Sequence, residues 1–500
     1  MPTVYKRVYE MATKELTSGQ PLKLILEFMF PIFIGNLFQQ LYNFADAVIV
    51  GRYVGIKALA AVGTTAPLLF FVISFIFAST QGFTVVLAQR FGARDYDMVR
   101  KSLATSVYLS GGLMVVLTFL STPFSYQMLA FLRTPSDIID MANIYLFIML
   151  AGIFATVFYN LSSNVIRALG DSKTPLYFLI FSSILNIFLA LLFVVKFRMG
   201  VAGAGCATVL AQLVATILCV SFMFWKFPIL HLKKEDWKID KDFMLEHLRI
   251  GIPMGFQMSI LTLGILALQY VLNGLGSIAV AAYTTAMRVD QIFSQVFVAL
   301  GATMATFTAQ NFGANKMARI KQGAKSALGI VITVTVFAVV VLTFFSQNLI
   351  QMFMSEPNEE VIKLGAMYLH IIMIFFIFLG LLLLYRNILQ GMGQVVVPLI
   401  SGTTELIMRT VFAFAFGLKF GFLGICFATP AAWFGATVVL FSGYKISLLK
   451  ILKNRRKLAW FRQFLCLIFV IQNLFDKVNR RSMSLVNLSP VWQNLINFPR

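Results

Sequence analysis

Asn36, Gln39, Asn43 and Asp46 stand three and four residues apart in the stretch NLFQQLYNFADAVIVG, whose only carboxylate is Asp46. On an α-helix that spacing lines the four side chains along one face, with Tyr42 beside them. A carboxylate in such apolar surroundings suits two kinds of chemistry, carrying a proton or holding a hard cation. The bland alternative is a hydrogen-bonded seam between helices. Charge favours function: Asn and Gln can join helices without the roughly 3 kcal/mol or more that a carboxylate costs in hydrocarbon.

The helix that presents this face belongs to a chain of 500 residues, 59% hydrophobic and 12% charged, with a mean hydropathy of +0.84. Soluble domains carry about a quarter charged residues, so this is an all-α polytopic membrane protein. Hydropathy places twelve spans near 24–50, 59–88, 102–122, 138–164, 175–196, 201–225, 250–273, 279–309, 325–345, 361–385, 395–418 and 422–443. No cleavable signal is expected ahead of the first. The net charge of +21 sits in loops between spans, which excludes nucleic acid as a partner and makes membrane lipid the neighbour. Alternate loops collect the Lys and Arg, so both termini and the central loop are expected in the cytoplasm, with the chain multi-pass in the cell membrane.

Enzyme chemistry finds no footing. Cys206, Cys219, Cys426 and Cys466 form no C-x-x-C pair, the three histidines are scattered, and the acids lie mostly in loops without a nucleophile–base or metal-ligand cluster. No filter-like repeat marks an ion channel. No cofactor and no firmly bound metal is expected.

The chain repeats itself. Leu87–Ser106 and Thr308–Ala327 both carry A-Q-x-F-G-A followed by a basic helix start; Pro31 pairs with Pro253, Gly170 with Gly393 and Pro175 with Pro398, all about 222 residues apart. Twelve transmembrane helices thus divide into two homologous six-helix lobes, inserted in the same orientation. The expected segments are a cytoplasmic N-terminal segment 1–20, an N-terminal lobe 21–226, a charged linker 227–248, a C-terminal lobe 249–446 and a basic tail 447–500. In the tail, Phe464–Phe475 is too short to span and suits an amphipathic surface helix or a dispensable end.

P-x-x-x-G-N-L-F-Q-Q-L-Y-N-x-x-D-x-x-x-V-G-R (Pro31–Arg52), the two A-Q-x-F-G-A loops and R-A-x-G-D-x-x-x-P (Arg167–Pro175), in this order within a duplicated twelve-span chain, resemble the MATE (multidrug and toxic compound extrusion) family over about residues 20–446. The resemblance implies an antiporter, coupled to H⁺ or Na⁺, that exports organic, often cationic and aromatic compounds by alternating access. It implies cation coupling at Asp46, Asn160, Asn186 and Thr208. Where many relatives have a second Asp four residues after the Asn186 position, this chain has Ala190. The sodium site that some relatives build from acids on the seventh and tenth helices has no acids here. Asp46, Asn186 and Thr208 would make a weak Na⁺ site; a lone carboxylate without counter-charge is cheaper protonated, so H⁺ is favoured.

Gln39, Tyr42, Asn43 and Tyr159 are expected in the substrate cavity, where Tyr42, Tyr159 and Phe38 could stack on a flat cation. Glu405 and Arg409, four apart, are expected to pair and lock the C-terminal lobe, with Arg288 beside them as a structural or cavity residue and substrate contact by Glu405 as the alternative. Arg288, Asp290 and Arg386 read as intrabundle partners or snorkelling charges. Small residues in GVAGAGCA read as close helix packing, not a phosphate loop. The alternative function is a lipid-linked oligosaccharide flippase of the same superfamily, which would line its cavity with Arg and Lys. The expected partners are small organic molecules, and the expected state is a monomer.

Overall fold

Among the described residues, eleven helices are long and apolar enough to cross a membrane, and a pair bent by 44°, Ile139–Ala151 with Ile153–Ala168, supplies the fourth of twelve spans. The others, in order, are Pro21–Tyr53, Ile56–Gly92, Tyr96–Ser121, Lys173–Lys196, Gly200–Lys226, Lys241–Asn273, Ser277–Gly313, Met317–Gln351, Glu359–Gly391, Val396–Phe420 and Phe422–Leu449. This computed structural model describes residues 15–354 and 358–449, so the surface helix expected at Phe464–Phe475 lies outside the described residues. One compact unit ends at Phe441; a second begins at Ser442, and its residues 442–449 are helical.

Several helices outrun their apolar windows. The seventh begins at Lys241, where Asp240 accepts the backbone N–H groups of Asp242 and Phe243 at 3.1 Å and caps the helix nine residues before the apolar run expected at 250. Hydropathy measures the hydrocarbon, whereas a capped hydrogen-bond ladder continues into polar surroundings. The fourth span breaks at Gly152. A Cβ there would collide with the Val209 side chain of the sixth span, which seats against the break.

The duplication reaches individual dihedrals. Arg94 and Asn315, which follow the two A-Q-x-F-G-A motifs, both adopt left-handed backbone, with φ of 60° and 59°. Gly170 and Gly393 do so with φ of 91° and 76°, and Gly55 and Gly276 with φ of 119° and 93°.

The lobes meet where the second span packs against the seventh and eighth and the first against the eighth, at the side carrying the basic loops. There, Ala78–Ala88 is buried on every face but that of Gln81, and Ala299–Asn311 on every face but those of Ala302 and Thr306. Gly82 lies against Gly251, Gly92 against the Gln310 carbonyl and Gly313 against the Gln89 carbonyl; a Cβ at any of the three would overlap backbone. Gln81, Thr84 and Ala88 face Ala302, Thr306 and Ala309 across a gap of only about 30 Å³. Five helical turns earlier, about 18 residues, the same two faces are Gly63, Ala66 and Phe70, and Thr284, Arg288 and Gln291, all exposed. Helix faces buried together at one end and bare at the other describe lobes that close on the basic side and part on the opposite side.

Charged strands of chain reinforce the closed side. Glu15 takes a forked hydrogen bond from Arg94 of the N-terminal lobe, at 3.1 and 2.9 Å. The next carbonyls, of Leu16, Thr17 and Ser18, accept from Asn311, Lys316 and Arg319 of the C-terminal lobe at 2.8–3.2 Å. In the linker, Asp236 and Asp240 pair with Arg100 and Lys101 of the third span at 3.2 and 2.7 Å.

Candidate functional site

Asp46 lies seven residues from the end of the first span, about 10 Å along the helix axis. The fifth span brings Asn186 and the sixth brings Thr208 against it. Thr208 Oγ1 is the hub. It accepts from Asn186 Nδ2 at 3.1 Å and from Tyr42 Oη at 3.4 Å, and lies 3.3 Å from Asp46 Oδ2 and 3.1 Å from the Ala204 carbonyl. One hydroxyl proton serves only one acceptor, so Thr208 donates either to the carboxylate or to its own helix. Asn186 Nδ2 also reaches Tyr42 Oη, at 3.4 Å.

Two oxygens in this cluster are buried without a hydrogen-bond partner, Asp46 Oδ1 and Asn186 Oδ1. Buried acceptors left bare are costly, by about 1–3 kcal/mol each, more when charged. A proton on Asp46 removes the charge and makes the carboxyl itself a donor; a hard cation would use both oxygens as ligands. Ala190, one turn beyond Asn186, is fully buried in an apolar cluster with Ile49, Val50 and Ala207, and offers no further oxygen.

Of the remaining residues expected at this site, Asn160 and Tyr159 turn elsewhere. Asn160 Nδ2 donates to the Thr156 carbonyl of its own helix at 2.8 Å. Tyr159 is buried, with its hydroxyl 3.4 Å from the Pro175 carbonyl, so its ring packs inside the lobe and is not open for stacking. Gln39 is exposed on the first span; the side chain of Asn43 lies outside the described residues. Phe38 is partly exposed, at 36%.

In the C-terminal lobe, Glu405 is shared. Arg409 stands 3.9 Å from Glu405 Oε2, and Arg386 pairs with Oε1 as its closer partner. All three side chains are buried, and both Arg Nε atoms lack a partner. Such a triad locks the tenth and eleventh spans together, and little of it faces open space. Of the roles expected of Arg288, the intrabundle pairing is not made: Arg288 is exposed, makes no ion pair among the described residues and lines a cavity, because its face of the eighth span points away from the bundle interior. Asp290, two residues on, is buried and accepts instead from Ser294 at 3.1 Å.

The A-Q-x-F-G-A motifs mark duplication, but their spacing does not reveal the contact that their glutamines make. Gln89 Nε2 donates to the Gly391 carbonyl at 2.8 Å, and Gln310 Nε2 donates to the Ala168 carbonyl at 2.8 Å. With Arg288, Thr284 and Gln291, neither of them among the expected site residues, form a further polar stripe. Its signal was the one read on the first span, polar residues at helical spacing within an apolar segment.

The MatE family model matches the chain twice, over residues 31–192 and 253–415, once in each lobe. YpnP of Bacillus subtilis (strain 168), described as a probable multidrug resistance protein, is 30% identical over 448 residues, covering 89% of this chain and 99% of YpnP. NorM of Thermotoga maritima, described likewise, is 28% identical, covering 76% of this chain and 82% of its own length. The multidrug export protein MepA of Staphylococcus aureus (strain MSSA476) is 22% identical over 74% of this chain and 82% of its own. Among solved structures, a multidrug resistance MATE family transporter in an outward-facing conformation superposes with a TM-score of 0.81 at 23% identity, over 88% of this chain and 98% of that one. A MOP superfamily transporter from Pyrococcus furiosus superposes with a TM-score of 0.79 at 24% identity, over 87% of this chain and 97% of that one. A double match to one family model, near-complete coverage of a 30% identical relative and a shared twelve-helix fold lead to one conclusion: the chain belongs to the MATE family of multidrug efflux transporters.

Proposed function

We propose that the protein is an antiporter that exports organic compounds, cationic and aromatic ones first, by alternating access, with H⁺ favoured over Na⁺ as the coupling ion. Both termini and the closed, basic side would face the cytoplasm of a cell membrane, as the distribution of Lys and Arg favours. The observation that carries the coupling is the pair of bare buried oxygens, Asp46 Oδ1 and Asn186 Oδ1, beside a hydroxyl able to turn toward or away from the carboxylate.

With Asp46 charged, the Thr208 proton points to it and a cationic substrate is held nearby. A proton arriving from the open side neutralises Asp46, and the Thr208 proton turns to the Ala204 carbonyl. The attraction for the substrate cation is lost and the first span is free to repack. Proton and substrate thus compete for one charge. Exchange of a monovalent cation for one proton moves no net charge, so the pH gradient alone drives it, at about 1.4 kcal/mol per unit. Export of a neutral compound would add about 2.3 kcal/mol per charge per 100 mV. The absence of an acid at Ala190 supports H⁺, since Na⁺ gains from each added anionic oxygen.

The test is export of a fluorescent organic cation by the purified protein in liposomes, with proton and sodium gradients imposed separately. Transport driven by protons and lost in Asp46→Asn supports the reading. Transport driven by sodium alone makes Asp46, Asn186 and Thr208 a Na⁺ site and overturns the choice of H⁺. Undiminished gradient-driven transport by Asp46→Asn removes the carboxylate from the mechanism.

A further inference from the structure

A cavity of about 480 Å³ opens on the side opposite the basic loops, lined in part by Asn273, Ser277, Thr284, Thr285, Arg288 and Phe353, and by none of the Asp46 cluster. That volume suits a drug-sized molecule. Arg288, eleven residues inside the eighth span, sits about 16 Å along the axis from Ser277. Its helix face decides what it meets. Ser277, Ala281, Thr284, Arg288 and Gln291 form one exposed stripe, in phase with Ala302, Thr306 and Ala309, which touch the other lobe where the lobes are closed. A lipid-facing stripe would be apolar; this one carries hydroxyls, an amide and a guanidinium, so it faces the wet cleft between the lobes. The matching face of the second span, Gly63, Ala66, Pro67 and Phe70, is apolar. The cleft therefore has one polar, cationic wall and one apolar wall.

We infer that Arg288, with the Thr285 hydroxyl, forms a subsite for the carboxylate of an aromatic substrate, whose ring system lies against Phe353; the Thr284 hydroxyl is already given to the Val280 carbonyl at 2.7 Å. A guanidinium presents a planar fork of donors that matches a carboxylate, and Arg288 has no ion-pair partner among the described residues to compete for it. The inference rests on the antiporter reading and names the side chain that would select a substrate for its carboxylate.

The experiment measures binding by fluorescence anisotropy of two forms of one rhodamine, with a free benzoate and as its methyl ester, to the purified protein in vesicles of neutral lipid. Wild type should prefer the free acid. Arg288→Gln should weaken binding of the acid by about tenfold and leave the ester unchanged, and Arg288→Lys should restore part of the loss. Equal binding of acid and ester by wild type, equal loss of both in Arg288→Gln, or binding of neither form overturns the subsite. A second arm adds anionic phospholipid. If that lipid abolishes the acid's advantage, Arg288 serves a lipid phosphate and the inference falls. Binding is read without a gradient, so a protein that keeps the Arg288-dependent preference yet exports nothing refutes the antiporter reading and leaves the subsite standing.

Discussion

Gln89 and Gln310 make the same bond in opposite directions: each reaches across the seam between the lobes to a carbonyl of the other half, Gly391 for one and Ala168 for the other, at 2.8 Å. Donors and acceptors alike stand about 222 residues apart, so one ancestral contact has become a reciprocal latch. Gln310 is used twice, because its Oε1 also accepts the backbone N–H of Leu16 at 2.8 Å. The latch joins the N-terminal segment, both lobes and the closed side in one network.

Removing one half of the latch should loosen the closed side without unfolding the lobes. Gln310→Ala and Gln89→Ala should each cost about 1 kcal/mol of closed-state stability, and Gln310→Ala should cost more, since it also strands the Leu16 N–H. Amide hydrogen exchange in segments 88–94 and 309–315 should quicken in both variants. Unchanged exchange would show that glycine packing alone keeps the side shut.

Gly92→Ala and Gly313→Ala should prevent closure outright. Each new Cβ would overlap a backbone carbonyl of the opposite lobe, which a side-chain rotation cannot relieve. Export should stop while the protein still purifies as a folded species, and a cysteine pair placed across the seam should cross-link less. Normal export by either variant would show that the seam has more room to adjust than its geometry indicates.

Glu405→Gln should be among the more destabilising single changes in the C-terminal lobe, because it leaves Arg386 and Arg409 buried without a counter-charge. Breaking a buried ion pair from one side costs about 3–5 kcal/mol. The thermal midpoint of the detergent-solubilised protein should drop clearly in Glu405→Gln, and a drop no larger than that of an exposed Glu→Gln change would make the triad energetically neutral.

Acid should weaken the loop between the fourth and fifth spans. Burial pushes the Asp171 carboxyl up, but hydrogen bonds from Lys226 and Thr174 outweigh it and hold the group below the usual carboxylate value. A carboxyl depressed in the folded state contributes stability that is fully present above its unfolded value, about 3.9, and is lost as pH falls through the folded value. Asp171→Asn should therefore lower the thermal midpoint at pH 7, and the difference from wild type should shrink as pH falls below about 4.

Much of this architecture was legible in the chain. Twelve apolar runs, the displaced copy of A-Q-x-F-G-A and the prolines at matching places specify two lobes of six helices, because a bilayer accepts little but helices of about that length. The spacing of Tyr42 and Asp46 alone put both on one helix face. What periodicity cannot say is which face of one helix meets which of another, since that depends on the packing of all the others. Only the tertiary structure showed that Asn186 and Thr208 reach Asp46 while Asn160 bonds to its own helix and Tyr159 is shut inside the lobe. It also separated Arg288 from the bundle interior, since Arg288 and the buried Asp290 stand half a turn apart on opposite sides of one helix, and it joined Arg386 to Glu405 of the next span. The closing of one side and the opening of the other were likewise decided in three dimensions, by glycines whose missing Cβ atoms matter only where another backbone arrives.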